Sequence, residues 1–284
     1  MKKKKIIQFI GFLSLRVCLY TVLAILLLFL YDIGRKGGGV ISWQFISQSP
    51  RRGMTEGGIF PAIFGTLLVT VVTAVLAIPL GMFAAIYLNE YAKQSRLTRL
   101  IRLSIRNLSG VPSIVYGLFG VILFVNILKF GTSILSAGLT LGLLTLPWTI
   151  TASEEALKTI PNSYREGSLA LGATKWQAIR TNVLPYALPG MLTGTVLGLA
   201  RAAGETAPLL FTGAAFYLPY LPKSLSDQFM ALPYHLYIMA TQHHAILQVR
   251  PIAYGTALVL ILLVLGLNMT AIVIRYRIRR KRRW

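Results

Sequence analysis

The stretch LARAAGETAPLL, Leu199 to Leu210, holds an arginine, Arg201, and a glutamate, Glu205, one helical turn apart inside a long apolar run. A guanidinium presents planar, paired donors that match the oxygens of an oxyanion, and it keeps its charge at any working pH. A carboxylate beside it can hold the guanidinium when no anion is there, or accept a hydrogen bond from a protonated anion. Two uses fit the pair: a contact point for an anion, or an ion pair that locks this helix against a neighbour. Arginine-first is the weaker order for such a pair on a helix. Pro208 cannot donate to the carbonyl of Gly204, which leaves a polar backbone group at the same depth.

The surroundings of the pair are those of a membrane. Of 284 residues, 55% are apolar and 13% charged. No charge occurs from Gly57 to Asn89, Asn107 to Leu128, Phe130 to Ser153 or Pro251 to Ile274. Each gap reaches the ~20 residues that a helix needs to cross a hydrocarbon core. The composition predicts an all-α polytopic membrane protein with six transmembrane helices, roughly Val17–Ile33, Phe60–Leu88, Leu108–Leu128, Thr132–Ala152, Pro185–Phe216 and Ala253–Ile274. Pro79 with Gly81, Pro112, Pro147 and Pro208 are the expected kink sites. Arg201 and Glu205 then lie inside the fifth span, at about 2.5–3.5 kcal/mol each on insertion scales, a cost that the Leu, Ala and Phe around them offset. Loose backbone at such depth is tolerated where it faces protein or a watery cavity.

The net charge of +21 sits in clusters: Lys2 to Lys5, Lys93 to Arg106, and Arg275 to Arg283. Placing all three on one side satisfies the positive-inside rule, makes both termini cytoplasmic, and leaves no role for nucleic acid. A basic tail beside a bilayer also attracts anionic lipid headgroups. No small-residue cleavage site follows the first apolar run, so Val17–Ile33 is expected to stay as a span. One cysteine, Cys18, excludes an internal disulfide and multi-cysteine metal sites.

Between the fourth and fifth spans, SYREGSLALGATKWQAIRTNVLP, Ser163 to Pro185, contains two capping boxes, Ser163-x-x-Glu166 and Thr174-x-x-Gln177. Gly172 stands where a left-handed residue would end the first helix, and Pro185 marks the start of membrane insertion. The pattern reads as helix, glycine turn, helix on the cytoplasmic face, with Trp176, Ile179 and Val183 on one side of the second. A pair tied between two spans is poorly placed to read DNA. It suits docking to another protein, or resting on lipid.

This segment resembles the coupling loop of the permease subunits of ABC importers: an acidic residue, small residues, a glycine six positions on, and a terminal hydrophobic-Leu-Pro. Glu166, Gly172, Val183, Leu184 and Pro185 fit, while Gly167 and Ser168 stand in place of two alanines. SGVPSIVYGLFG, Ser109 to Gly120, and ARAAGETAPLLFTGA, Ala200 to Ala214, are similar to hallmark segments of the phosphate importer permeases, the PstA type. The resemblance covers about residues 58–276 and implies the type I ABC importer permease fold. It divides the chain into residues 1–57, with the first span and outer loop, a permease core 58–276 with its coupling loop at 157–185, and a basic tail 277–284. It further implies an ATPase dimer of the PstB type seated on Glu166, Gly172, Ala173, Trp176, Ile179, Leu184 and Pro185. A second permease of the PstC type, an external binding protein of the PstS type and inorganic phosphate passing Arg201 and Glu205 complete the implied system. No phosphate-binding G-x-x-x-x-G-K-[ST] loop occurs, so no cofactor is expected on this chain and ATP with Mg belongs to the ATPase. A stand-alone secondary transporter that uses Glu205 as a proton carrier is the rival, and a permease for another oxyanion a second.

Three other features receive plainer readings. His243 and His244 are adjacent and expected to point apart, which disfavours a metal site. Tyr217, Tyr220, Tyr234 and Tyr237 suit anchoring at the outer headgroups. Gly138 and Gly142 suit close helix packing in the fourth span.

Overall fold

The protein, a computed structural model, is described over residues 2–280. The elements in chain order are α1 (Lys2–Gly38), α2 (Trp43–Ser47), a two-stranded antiparallel hairpin of β1 (Pro50–Arg51) and β2 (Glu56–Gly57), and α3 (Phe60–Ile86). A π-helical turn, Tyr87–Tyr91, extends α3. There follow α4 (Arg96–Leu108), α5 (Ser113–Gly120) with a π-helical extension Val121–Ile127, α6 (Ile134–Lys158), α7 (Ser163–Ala170) and α8 (Lys175–Ala178). A third π turn, Ile179–Val183, joins α8 to α9 (Leu184–Ala203); α10 (Ala207–Thr212), α11 (Leu232–Thr241) and α12 (Ile246–Arg280) complete the chain. The last part of the expected basic tail, residues 281–284, lies outside the described residues.

Among the described residues, five helices are long and apolar enough to cross a membrane, and up to six crossings result when the bent pair α4 and α5 is taken as one. That pair corrects the third expected span. The expected span is not one straight helix from Leu108: α4 and the helix through Ile127 meet at 101°. Pro112 caps the second of them, because proline holds the residue before it out of helical geometry and ends the run. The crossing piece has only 8 residues of α5 and 7 of its extension, short of the ~20 a bilayer asks for. On α4, Leu97, Leu100, Ile101 and Leu108 are exposed along one side while Arg99, Arg102 and Arg106 line another, the pattern of a helix lying along an interface.

Small residues set the order of the bundle. A Cβ on Gly138 or Gly142 of α6 would come within 2.4 Å of Val72 or Leu76 of α3, and one on Gly81 within 2.5 Å of Thr149. The two helices therefore run parallel in close contact, as the glycine spacing predicts. The face of α9 carrying Gly190, Gly194 and Gly198 lies against Ala156, Ala152 and Trp148 of α6, so these two are antiparallel. Gly37 of α1 packs against Tyr254 and Leu258 of α12, bringing these two helices together. Buried threonines fold their hydroxyls onto the carbonyl four residues back, as at Thr66, Thr70, Thr73, Thr140, Thr195 and Thr256, so these hydroxyls are paired inside the apolar core, whereas the Ser153 hydroxyl of α6 is buried without a partner.

At one end of the bundle, α2, the hairpin, residues 213–231 and α11 form a cap around Phe45, Met54, Ile59, Phe229, Met230, Leu232 and Ile238. Tyr234 is buried in this cap, unlike the exposed Tyr220 and Tyr237, and is core more than anchor. His243 and His244 also correct the expectation. Their rings stack with centroids 4.4 Å apart, because the chain turns out of helix there. His243 Nε2 meets the Gly53 carbonyl at 2.7 Å and its Nδ1 accepts from the Ala245 N–H at 3.0 Å. Among the described residues, no group of three or more His, Cys, Asp or Glu is arranged to hold a metal.

Candidate functional site

The fifth expected span is corrected at both ends. It begins earlier, since α8, the π turn and α9 make one helical run from Lys175 to Ala203. Pro185 does not start a separate membrane helix. The N–H of Leu184 reaches the carbonyl of Ile179, five residues back, and the widened turn accommodates the proline within the run. The run ends earlier too. Gly204, Glu205 and Thr206 leave the helix before α10, whose first turn takes Pro208 where a missing N–H costs nothing.

Arg201 and Glu205 sit at this break. Arg201 Nε stands 3.4 Å from Glu205 Oε1, and the guanidinium carbon lies 5.2 Å from the centre of the Trp148 ring. The pairing of Gly190 with Ala156, Gly194 with Ala152 and Gly198 with Trp148 extrapolates to put Arg201 beside the middle of α6. The charge is therefore at mid-span. A groove between α9 and α12, lined by Ala200, Arg201, Gly204, Glu205, Ile261 and Val264, receives it. The Arg201 side chain is 47% exposed and that of Glu205 15%. A guanidinium half free of its carboxylate, with an aromatic face beside it, still has donors to offer an anion.

The second site is the hairpin of α7 and α8, at the opposite end of α9. Thr174 forms its capping box: the hydroxyl accepts from the Gln177 N–H and Gln177 Oε1 accepts from the Thr174 N–H at 2.7 Å. Gly172 has φ of +84°, the left-handed turn expected. The Ser163 box does not form. Asn162 is the cap, already helical at φ −64°, and its carbonyl accepts from the N–H groups of Arg165 and Glu166. Pro161 and Asn162 begin the turn one residue early, so Ser163 is inside the helix.

Glu166, Gly172 and Trp176 are exposed at the hairpin, and Ala173 partly so. Ile179 and Val183 do not share the exposed face of Trp176. They are buried among Ala85, Ile86, Leu157, Ala187 and Met191, seating the hairpin on the bundle, with Leu184 and Pro185 half-buried next to them. Leu171, 91% exposed at the tip, was not singled out by its sequence context. An apolar residue directly before a left-handed glycine was the available signal. Along the helical run from Ala178, the end of the hairpin, to Arg201 the distance is about 35 Å at 1.5 Å per residue, so the structure keeps the two sets separate.

Two ion pairs at this end were not legible in the sequence. Arg165 of α7 holds Glu90, after α3, with Nη2–Oε1 at 2.6 Å and Nε–Oε2 at 3.0 Å. Arg102 Nε of α4 stands 2.7 Å from Glu154 Oε1 of α6, at ion-pair range though out of line for a hydrogen bond.

A bundle of membrane helices with an exposed, capped hairpin at one end and a charge pair at mid-depth is built for moving something across, and comparison places it. The chain belongs to the binding-protein-dependent transport system inner membrane components, whose profile matches residues 77–284. It is a multi-pass transport subunit, and membership implies an ATPase and a binding protein as partners. Among individual relatives, it is 34% identical over 268 residues to the probable ABC transporter permease protein YqgI of Bacillus subtilis, covering 90% of each chain. It is 39% identical over 229 residues to the phosphate transport system permease protein PstA 1 of Mycobacterium tuberculosis, covering 80% of this chain and 72% of that one. A probable phosphate transport system permease protein PstA of Methanocaldococcus jannaschii is 34% identical over 87% of this chain and 86% of its own length. The fold is shared with a chain of a bacterial alginate ABC transporter, at TM-score 0.66, 15% identity and coverage of 93% and 95%. It is also shared with one of the MetNI methionine ABC transporter in an inward-facing form, at TM-score 0.62, 20% identity and coverage of 76% and 94%.

Proposed function

We propose that the chain is the permease subunit of an ATP-driven importer of inorganic phosphate in a bacterial plasma membrane, with both termini cytoplasmic. It forms half of the transmembrane path beside a second permease of the PstC type. A PstB-type ATPase dimer, which carries ATP and Mg, docks on Glu166, Gly172, Ala173 and Trp176, and a PstS-type protein delivers phosphate outside. The observation that carries this reading is Arg201 at mid-span, only loosely held by Glu205 and open on one side. A permanent cation at that depth is costly unless an anion uses it, and the relatives bearing the word phosphate in their names supply the class of anion.

In alternating access, closure of the ATPase displaces the α7–α8 hairpin, and the bundle turns Arg201 from one side to the other. Arg201 donates to phosphate oxygens while Glu205 accepts a hydrogen bond from the protonated anion. That carboxylate would repel a fully deprotonated one, which gives the path a preference for the partly protonated species.

The test is uptake of labelled phosphate by the reconstituted complex. Arg201→Gln is expected to abolish uptake with insertion and assembly intact, and full uptake in that variant removes the proposal. A guanidinium also suits other oxyanions, so sulfate and phosphonate compete in parallel; stronger competition by either than by unlabelled phosphate reassigns the substrate. Transport that persists without any ATPase supports a secondary transporter instead.

A further inference from the structure

The hairpin that meets the ATPase in the reading above runs through α8 directly into the helix that carries Arg201, but its seat against α3 and α6 is apolar and poorly suited to making those helices move with it. Ile179 and Val183 rest on Ala85, Ile86 and Leu157 through non-directional contacts, which tolerate small sliding motions. A contact of another kind ties α7 to both of those helices. The guanidinium of Arg165, on α7, gives Glu90 three hydrogen bonds: Nε to Oε1 at 3.2 Å, Nε to Oε2 at 3.0 Å, and Nη2 to Oε1 at 2.6 Å. Its other donor hydrogens go to carbonyls at and just beyond the C-terminal end of α6, Nη1 to Ile160 at 2.9 Å and Nη2 to Leu157 at 3.2 Å. One side chain thus joins three elements: α7, the end of α3 and the end of α6.

Both partners are withdrawn from solvent, with side-chain exposures of 18% for Arg165 and 4% for Glu90. Asn89 Nδ2 donates to Glu90 Oε1 at 2.8 Å and fixes the carboxylate from the other side. The π turn at Tyr87–Tyr91 carries Glu90 at the very end of α3. Lys175 of α8 lies 4.9 Å from the ring centre of Tyr91 in the same turn, a second tie between the hairpin and α3.

Beyond this junction the route is stiff. α3 and α6 touch through Gly138, Gly142 and Gly81, and α6 touches α9 through Gly190, Gly194 and Gly198, where little side chain is available to yield. Gly198 faces Trp148, and Trp148 carries Arg201 on its ring. We infer that the Glu90–Arg165 pair is the strut through which movement of the α7–α8 hairpin is delivered to α3 and α6, so that α6, with Trp148, shifts together with the α8–α9 run that carries Arg201. Arg165 and Glu90 are positioning residues: neither touches the anion. The pair Arg102–Glu154 resembles it in chemistry but ties α4, not the hairpin, to α6.

This inference rests on the importer reading, and the experiment separates the two. Glu90→Gln, Arg165→Gln and the double variant are each reconstituted with the partner subunits. Phosphate imported, ATP hydrolysed and ATPase copurified are measured in each. Each single substitution is expected to leave the ATPase bound and hydrolysing while phosphate imported per ATP falls about 10-fold or more. The double variant is expected to be no worse than the poorer single one, since the two residues act as one unit. Glu90→Asp, which keeps the carboxylate, is expected to recover at least half of the ratio. An unchanged ratio in either single variant, losses that multiply in the double, or a fall explained entirely by lost ATPase binding overturns the strut. An unsubstituted complex that hydrolyses ATP without importing phosphate overturns the functional reading and the strut with it. A coupled parent beside fully coupled variants overturns the strut alone.

Discussion

At the residue scale, Arg201 depends on geometry as much as on charge. Its contact to Glu205 is long and single, 3.4 Å from Nε, so the forked end stays available. Lysine keeps the charge and loses the fork. Arg201→Lys is therefore expected to weaken phosphate uptake about 10- to 100-fold, from the ~1.5–3 kcal/mol of a charge-assisted hydrogen bond, where Arg201→Gln abolishes it; concentration-dependent initial rates distinguish the two. Ser168 explains one departure from the family pattern. Its hydroxyl accepts from Asn182 Nδ2 and so ties α7 to the start of the long helix, a bond that alanine could not make. Gly172, at φ +84°, has open space around it and is held by conformation alone. Gly172→Ala should cost about 1–2 kcal/mol of local stability, read as faster amide exchange across residues 163–178 with the transmembrane helices unchanged.

At the element scale, the glycines of α9 are spacers and those of the hairpin are not. A Cβ on Gly194 would fall 2.1 Å from the Ala152 Cβ, whereas one on Gly167 meets nothing within 4 Å. Gly194→Leu is expected to force α9 off α6 and destabilise the bundle by about 1–3 kcal/mol or more. Gly167→Ala is expected to be neutral or to stabilise α7 by up to about 1 kcal/mol. Thermal unfolding in detergent compares the two directly, and equal effects would remove the packing argument. The same scale accounts for the two corrected spans. Apolar content alone extends the third span back to Leu108 and the fifth forward to Phe216, because hydropathy does not register direction. The 101° bend before α5 and the break at Gly204–Thr206 are changes of direction.

At the scale of the whole molecule, the cap and the bundle are one packed body, and a buried histidine ties its stability to pH. His235, on α11, is fully buried; burial first and the neighbouring His243 second lower its pKa to about 4. The unfolded chain, near 6.5, takes up the proton first as the pH falls. Stability is therefore full above about pH 6.5 and lost progressively toward pH 4, by about 3 kcal/mol in all. His235→Leu should remove that part of the pH dependence, and unfolding midpoints of the two proteins at pH 7 and pH 4.5 provide the check. The sequence by itself determined the membrane class, the number of apolar runs, the capped hairpin around Gly172 and the placing of Arg201 in an apolar segment. Each of these depends on local composition or on spacing within a turn or two of helix. Only the tertiary structure decided which helices run side by side, that Glu90 meets Arg165 and Arg102 meets Glu154, and that Trp148 lies under Arg201. Those partners are tens of residues apart along the chain. Which charge finds which is settled by the order in which close-packed helices stack, and no local pattern of residues encodes that order.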